Sequence, residues 1–202
     1  MFKADLTKQR IIEKAAIIFN QNGYAGASIA DIMRLTGLGK SRIYSHFKSK
    51  DEIAVAAFDY SLGLILEAAM AQVSIQNTAT LRLHAFADSF RGFTSQPIGT
   101  GGCPILNTAI ESDDTHPMLR LHVQSAVNNL RALISSIVEL GIRQGEITVT
   151  TDHEQVSTIL FVTIEGAIMM SKLYGNDVYL DRAVDHLHQY INSLCSSPRR
   201  SP

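Results

Sequence analysis

Apolar residues recur at three- and four-residue intervals along most of the chain, which is the period of an amphipathic α-helix. The first stripe places Ile11, Ala15 and Ile18 on one face of a helix predicted from about Thr7 to Asn22. Gly23 follows and can adopt the left-handed conformation that ends a helix. The chain is therefore predicted to begin with one long helix.

Two short helices separated by a turn are predicted next. Ser28 begins the first of them in a capping box, because Asp31 stands three residues later. The turn Thr36–Leu38 contains a glycine, and the second short helix is predicted from Lys40 to about Phe47. Two short helices joined by such a turn are typical of a helix-turn-helix.

The remainder of the chain is also helical in its pattern. A fourth helix is predicted from near Ser49 to about Ser74, and further helices near residues 79–95, 103–112, 117–144, 152–174 and 178–195. The β-branched run Thr148–Thr151 has no partner run and does not support a strand. The sequence predicts an all-α fold of about nine helices, with an N-terminal three-helix domain over residues 1–52 and a helical domain over residues 53–202.

Charge is divided unevenly between these two parts. The chain has a net charge of −1, but residues 1–52 hold nine Lys/Arg against five Asp/Glu, whereas residues 53–202 hold nine against fourteen. A basic N-terminal domain joined to an acidic one is expected if only the first approaches phosphates. A chance fluctuation would give the same contrast.

The composition predicts a cytoplasmic protein. Residues 1–5 contain no apolar run that would serve as a signal peptide. The most apolar stretch, Ile159–Met170, is twelve residues long and contains Thr163 and Glu165, so we expect it to be too short and too polar to span a membrane. The two cysteines are then expected to be reduced thiols, and Ser196–Pro202 is expected to be a frayed basic tail.

The second short helix carries residues suited to nucleic-acid recognition. Lys40, Ser41 and Arg42 stand near its N-terminus, where donors reach base edges, while Ile43 and Phe47 provide an apolar back. Four further residues are expected to donate to phosphates or flank the groove: Tyr44, His46, Lys48 and Lys50. Packing at the helix junction is the alternative role of Tyr44 and His46.

The first fifty or so residues resemble the head of TetR/AcrR transcriptional regulators. The resemblance rests on Gly23-Tyr24, on Ala27–Ile32 and on Thr36–Glu52, which includes the Tyr-x-His-Phe-x-x-Lys run. It departs from many members at Gly39, where serine is common as N-cap. The resemblance implies that Lys40, Ser41 and Arg42 face the major groove and that Ser28, Tyr44, His46 and Lys50 hold phosphates. Arg42 is expected to pair with a guanine.

The resemblance also implies a homodimer that binds double-stranded DNA and a small-molecule effector. The dimer is expected to form through a four-helix bundle built from the last two long helices, although the same residues would also complete a monomer core. These interface candidates are Val156, Leu160, Ile164, Ile168, Val184, Leu187 and Ile191.

Apolar and polar residues of the middle helices are expected to line an effector pocket, although ordinary core packing is the alternative for each. These ligand-binding candidates are Phe86, Phe90, Phe93, Cys103, Leu106, Asn107, His122, Phe161, Glu165 and Met169. Filling the pocket would shift the fourth helix and separate the two DNA-binding heads, so that the operator is released.

Cys103 suggests an alternative means of regulation. It precedes Pro104 at a predicted helix start, a position that lowers the pKa of a thiol. A thiol-based sensor of electrophiles or oxidants is therefore an alternative hypothesis, beside a buried structural cysteine. One rival function is an enzyme with Cys103 as nucleophile and His116 or His122 as base, but the spacing supplies no third group to orient the base. The other rival is a helical adaptor that binds protein and not DNA, which would not need the cluster of basic residues on the second short helix. No metal site or cofactor is expected, since His/Cys spacing does not match a ligand set.

Overall fold

The computed structural model describes residues 3–196, which contain nine α-helices. Their bounds are α1 Lys3–Gly26, α2 Ile29–Thr36, α3 Lys40–Tyr44, α4 Lys50–Val73, α5 Ala79–Asp88, α6 Pro104–Ser112, α7 Pro117–Gln144, α8 His153–Tyr174 and α9 Val178–Leu194. Two short 3-10 helices, Phe93–Ser95 and Pro97–Gly99, lie between α5 and α6. The predicted all-α fold is confirmed. The predicted C-terminal tail lies, apart from Ser196, outside the described residues.

Helix α5 ends earlier than the apolar spacing predicts. The sequence suggested a helix to residue 95, but α5 ends at Asp88 and Gly92 adopts a left-handed conformation with φ 65°. The aromatic residues Phe86, Phe90 and Phe93 nevertheless pack together, with successive ring centroids 5.4 and 6.0 Å apart. The aromatic side chains thus remain in contact beyond Asp88, where the helix itself has ended.

The chain forms two compact units, and the first comprises residues up to Ile65 together with residues 97–126. Its main hydrophobic core joins α1 to the helix-turn-helix and to the start of α4. Ile11, Ile32, Ile43 and Ile53 are completely buried in this core, and Phe47 is 2% exposed. The sequence-based boundary after residue 52 instead assigns residues 97–126 to the other part of the chain.

The second compact unit comprises residues 66–96 and the chain from Val127 onward. Its centre is the packing of α9 against α8 and α5. Helix α8 begins after Asp152, whose Oδ1 accepts hydrogen bonds from the backbone N–H groups of Glu154 and Gln155 at 3.0 and 3.1 Å. The run 148–151 forms no strand, and the neighbouring Ile147 forms an isolated antiparallel bridge with Cys195.

Two helices are long and apolar enough to cross a membrane by length and composition alone. They are α4, with a mean hydropathy of 1.6, and α8, with 1.5. The expectation that the α8 region is too short and too polar for a span is therefore not supported by length and hydropathy. In α8 the apolar face that includes Leu160, Ile164 and Ile168 is buried within the second unit, as in the core helix of a soluble protein.

A pair of stacked histidines links α5 to α9 in the second unit. His84 and His188 have ring centroids 4.6 Å apart, and their Nδ1 atoms form a hydrogen bond. His188 Nε2 lies 2.8 Å from Asp88 Oδ1, and His84 Nε2 lies 3.1 Å from Asn192 Oδ1. His188 Nε2 donates a hydrogen bond to Asp88, and the donor in the contact between the two Nδ1 atoms is set by the tautomers of the rings. Burial, and next the neighbouring His188, lower the pKa of His84.

We expect the second unit to lose stability on mild acidification. Below about pH 6.5, the ordinary histidine pKa, the unfolded chain takes up a proton that folded His84 resists, so stability falls as the pH is lowered through that region. Asp88 and Arg91 are the charged groups around the pair, and both keep their charge there. Melting temperatures of wild type and His84→Gln at pH 7.5 and 5.5 test this.

The matched control is His186→Gln on the exposed part of α9. His84→Gln should melt with a smaller acid shift than wild type, whereas His186→Gln should keep the wild-type shift. An unchanged acid shift in His84→Gln would remove His84 as the cause.

Candidate nucleic-acid interface

The helix-turn-helix is built by local hydrogen bonds that the sequence encodes. Ser28 Oγ accepts from the backbone N–H of Asp31 at 3.2 Å, and Asp31 Oδ2 accepts from the backbone N–H of Ser28 at 3.1 Å. This confirms the predicted capping box. At the other end of α2, Thr36 Oγ1 donates to the carbonyl of Ile32 at 2.7 Å, and Gly37 forms a left-handed cap. Both ends of α2 are thereby fixed before α3 begins.

Helix α3 is held by its apolar residues and presents its polar ones. Ile43 is completely buried, and Phe47 just beyond the helix is 2% exposed. Lys40, Ser41 and Arg42 are exposed on the first turn. Gly39 is the N-cap, as the sequence predicts, and forms no side-chain capping bond. The two anchors fix the helix so that its first-turn donors point to solvent.

The exposed cations of this region are free to meet an anionic partner. Within the described part of the chain, Lys40, Arg42 and Lys48 form no ion pair, and all three are exposed. Lys40 Nζ lies 5.9 Å from the ring centroid of Tyr44, which is itself 38% exposed. Unpaired cations beside an exposed aromatic ring suit the phosphate backbone of DNA.

Two of the residues proposed for phosphate contacts, Lys50 and Ser28, form hydrogen bonds within the protein, and the ring nitrogen Nε2 of a third, His46, is buried. Lys50 Nζ donates a hydrogen bond to the backbone carbonyl of Tyr24 at 2.6 Å, and it lies 4.1 Å from the centroid of the Tyr24 ring. Ser28 Oγ donates to Asp31 at 2.6 Å. His46 Nε2 is buried and has no hydrogen-bond partner among the described residues. Lys50 in particular has a structural contact that its position in the basic run does not reveal.

A polar contact between α1 and α6 was not foreseen from the sequence. The carboxylate of Glu111 accepts from the backbone N–H groups of Tyr24 and Ala25, the latter at 2.6 Å. These donors follow Gly23, where α1 is interrupted by a non-helical residue with φ 73°. A Cβ atom on Gly23 would lie 2.6 Å from Glu111 Oε2, so glycine leaves room for this contact. Glu111 therefore acts as an N-cap supplied from another helix.

Tyr24 and Asp51 extend this contact. The hydroxyl of Tyr24 donates to Asp51, and His116 Nε2 lies 3.4 Å from the same carboxylate oxygen. Burial and then Asp51 raise the pKa of Tyr24 to about 12, while the hydrogen bond from Tyr24 lowers the pKa of Asp51. The cluster thus ties α1, the start of α4 and the start of α7 together.

Asn20 and Asn107 form a second contact between α1 and the segment around α6. Asn20 Nδ2 donates to the carbonyls of Thr100 and Gly102, both at 2.9 Å. Asn107 Nδ2 in turn donates to Asn20 Oδ1 at 2.9 Å and to the carbonyl of Gly101 at 2.8 Å. Asn107 is one of the ligand-binding candidates, and the side-chain partner that it has, Asn20, is 87 residues away in the sequence.

The remaining ligand-binding candidates are divided between the two units. Phe86, Phe90 and Phe93 are buried in the second unit, where Phe161 and Glu165 are half-buried and Met169 is 45% exposed. In the first unit, His122 Nε2 lies 2.6 Å from Asp59 Oδ1, and Leu106 is half-buried. Six of the ten candidates therefore lie in the second unit and four in the first, and their role in binding an effector stays a prediction.

Cys103 is the N-cap of α6 and is only 6% exposed. Such burial restricts access to the sulfur. The structural alternative for this cysteine is therefore favoured over a sensor. Of the two histidines considered as bases beside it, His116 is directed to Asp51 and His122 to Asp59.

The predicted dimer-interface residues are buried inside the single chain. Their exposed fractions are 3% or less for all seven: Val156, Leu160, Ile164, Ile168, Val184, Leu187 and Ile191. Their burial between α8 and α9 within the second unit favours the alternative that they complete the core of one chain, and their part in a dimer stays a prediction. The apolar residues that α8 does expose are Val162, Met169 and Leu173, at 51%, 45% and 71%.

These features define an all-helical protein with an N-terminal DNA-binding helix-turn-helix. Residues 11–57 match the family model described as bacterial regulatory proteins, tetR family, and residues 79–187 match the tetracyclin repressor-like C-terminal domain. The chain belongs to the TetR family of transcriptional regulators. Regulators of this family bind operator DNA as dimers and are not enzymes.

Solved structures and characterised relatives agree with this assignment. A TetR transcriptional regulator from Chloroflexus aurantiacus J-10-FL is 40% identical in sequence and superposes with a TM-score of 0.91. The superposition covers 96% of this chain and 98% of the Chloroflexus chain. A TetR-family regulator from Cytophaga hutchinsonii is 33% identical, with 98% of both chains covered and a TM-score of 0.89. The HTH-type transcriptional regulator TtgR of Pseudomonas putida is 26% identical over 99% of this chain and 95% of its own.

Proposed function

We propose that this regulator is a cytoplasmic, homodimeric repressor that binds an inverted-repeat operator through α3 and releases it when a small molecule binds. The observation that carries the DNA-binding part is the first turn of α3, which exposes Lys40, Ser41 and Arg42 while Ile43 anchors the helix. Arg42 is proposed to pair with a guanine through its two-pronged guanidinium, a contact that discriminates by about 1–3 kcal/mol. Tyr44 and Lys48 would contact the backbone phosphates.

The dimer is proposed to form through the exposed side of α8. Val162, Met169 and Leu173 form an apolar surface there. Gly166 lies between them, and a Cβ atom built on it would meet nothing within 4 Å, so a second helix could approach closely at this position. Burying apolar surface against an identical copy would place two α3 helices on the two halves of a palindrome. The buried residues Leu160 and Ile164 would support this surface from below.

Release of DNA requires an effector that favours a conformation unable to bind the operator. A coupling free energy of about 1.4 kcal/mol changes the operator affinity tenfold. The contacts of Glu111 and Asn107 with α1 are a route by which movement of α6 would reach the helix-turn-helix. In this mechanism an effector acts by displacing α6, and the two α3 helices no longer match successive major grooves.

The experiment that tests this proposal is a titration of the full chain against a duplex from the DNA upstream of its own coding region. Fluorescence anisotropy should give tight binding of the duplex that contains an inverted repeat, weak binding of a scrambled duplex, and an affinity that falls steeply with salt. Sedimentation should give two protomers per duplex. Met169→Glu should weaken this assembly, whereas Gln189→Glu on the exposed part of α9 should not.

Equal affinity for the scrambled duplex at every salt concentration would contradict sequence-specific repression. One protomer per duplex at saturation would contradict the dimeric part.

A further inference from the structure

An open cleft in the first unit lies between α1, α4 and the loop that contains Pro97–Gly99. Its volume is about 320 Å³, within the range of small-molecule sites. Ile17, Leu64 and Ile98 supply an apolar wall, and two of these side chains are unusually exposed for their size, Ile17 at 46% and Leu64 at 39%. A neighbouring cavity at the Tyr24 side has only about 30 Å³, which is room for a water molecule or two. The larger cleft is the space that a ligand can enter.

The polar groups at the rim of this cleft indicate the charge of its ligand. Lys14 lines the cleft and forms no ion pair within the described part of the chain. Glu13 also lines it, but its carboxylate accepts a hydrogen bond from Gln9 Nε2 at 3.1 Å. Tyr60 lies close enough to Glu13 that burial and then this carboxylate raise the pKa of its hydroxyl, which stays protonated and able to donate. A free ammonium and a hydroxyl donor favour an anionic group over a cationic one.

We infer that this cleft binds a small amphipathic organic anion, with the anionic group at Lys14 and the apolar part against Ile17, Leu64 and Ile98. The inference rests on the proposed function in one respect, since it identifies a site through which a ligand would regulate DNA binding. It differs from the middle-helix candidates, because none of the ten lines this cleft. The site stands on α1, the helix that packs directly against the helix-turn-helix.

Asn20 connects the cleft to the contact between α1 and α6. It lines the cleft, as does Thr100, and its Nδ2 donates to the carbonyl of Thr100 at 2.9 Å. The same side chain accepts from Asn107 of α6. A ligand that enters between α1 and the loop therefore meets the side chain that joins them. Binding at the cleft would compete with, or reinforce, the hydrogen bonds that hold α1 to this loop.

The test uses the fluorescent probe 8-anilino-1-naphthalenesulfonate, an aromatic molecule with one sulfonate, and the full chain without DNA. Wild type should bind the probe with enhanced fluorescence, and Lys14→Gln should raise its Kd about five- to tenfold, the size of one lost ion pair. Lys14→Arg should retain binding. Arg10→Gln removes an exposed cation from the same helix outside the cleft and is the matched control.

Competition then checks the sign of the charge. Decanoate should displace the probe, whereas decyltrimethylammonium, with the same chain and the opposite charge, should not. Equal probe affinity in Lys14→Gln and Arg10→Gln would overturn the site, and displacement by the ammonium compound alone would overturn the anionic ligand. Because no DNA is present, either result is independent of the proposed repressor function.

Discussion

A Lys40→Ala/Arg42→Ala variant should bind the operator duplex at least about a hundredfold more weakly than wild type, because each bidentate arginine–guanine pair contributes about 1–3 kcal/mol and a dimer loses two. Both side chains are exposed and unpaired in the described structure, so their removal should leave the fold intact. The dependence of log K on log salt should also become shallower, because the dimer loses four cations from the surface that meets the polyanionic duplex.

The matched control is Arg120→Ala/Arg143→Ala. It removes the same formal charge from exposed positions on α7, outside the helix-turn-helix. We expect it to bind the operator duplex with nearly wild-type affinity, and both variants should keep the wild-type melting temperature within about 2 °C, as surface substitutions usually do. If the Lys40/Arg42 variant bound the duplex as tightly as this control, α3 would not be the reading helix.

The helices of this protein could be predicted because their signals are local. The apolar period of α1, the Ser28–Asp31 capping box and the Gly39 cap each depend on residues within one or two turns. The end of α5 is an exception with a physical reason. Phe86, Phe90 and Phe93 keep a helical spacing across the break at Gly92 because they pack on one another, so the apolar pattern alone does not reveal that the helix has ended.

The candidate site was predictable where exposure follows from a local pattern, and not where it depends on distant partners. Lys40 and Arg42 are exposed because the neighbouring Ile43 is the buried anchor. Lys50 instead bonds to the carbonyl of Tyr24, and Asn107 bonds to Asn20 across 87 residues of sequence. No periodicity along the chain encodes such a partner.

The predicted dimer-interface residues depend on the packed structure for a related reason. An apolar stripe indicates that one face of a helix is buried, but it does not identify the surface that covers this face. In α8 the stripe with Leu160 and Ile164 packs within its own chain. The weaker apolar set with Val162 and Met169 is the one left exposed. Both sets are apolar and lie on the same helix, at positions shifted by a few residues. Only the packed structure shows which of the two sets is buried within the chain.

The second large effect is expected at Gly101, where Gly101→Ala should destabilise the protein by about 3 kcal/mol. Gly101 has φ 91°, and a Cβ atom there would lie 2.7 Å from the backbone carbonyl oxygen of Asn20 and 2.9 Å from its carbonyl carbon. Relief of this overlap requires the backbone of α1 or of the loop to move, which breaks the hydrogen bonds of Asn20 to Thr100 and Gly102. The melting temperature should fall by roughly 6–12 °C.

Gly145→Ala separates the two causes of that loss. Gly145 also has a positive φ, 74°, but a Cβ atom there would meet nothing within 4 Å. It should therefore suffer the conformational penalty alone, about 1 kcal/mol, and lower the melting temperature by about 2–4 °C. A Gly101→Ala variant that melts at the same temperature as Gly145→Ala would mean that α1 does not approach the loop closely. If the larger loss is measured, amide exchange in α1 should also rise in Gly101→Ala and not in Gly145→Ala, because only the first variant disturbs the contact that holds α1 in place.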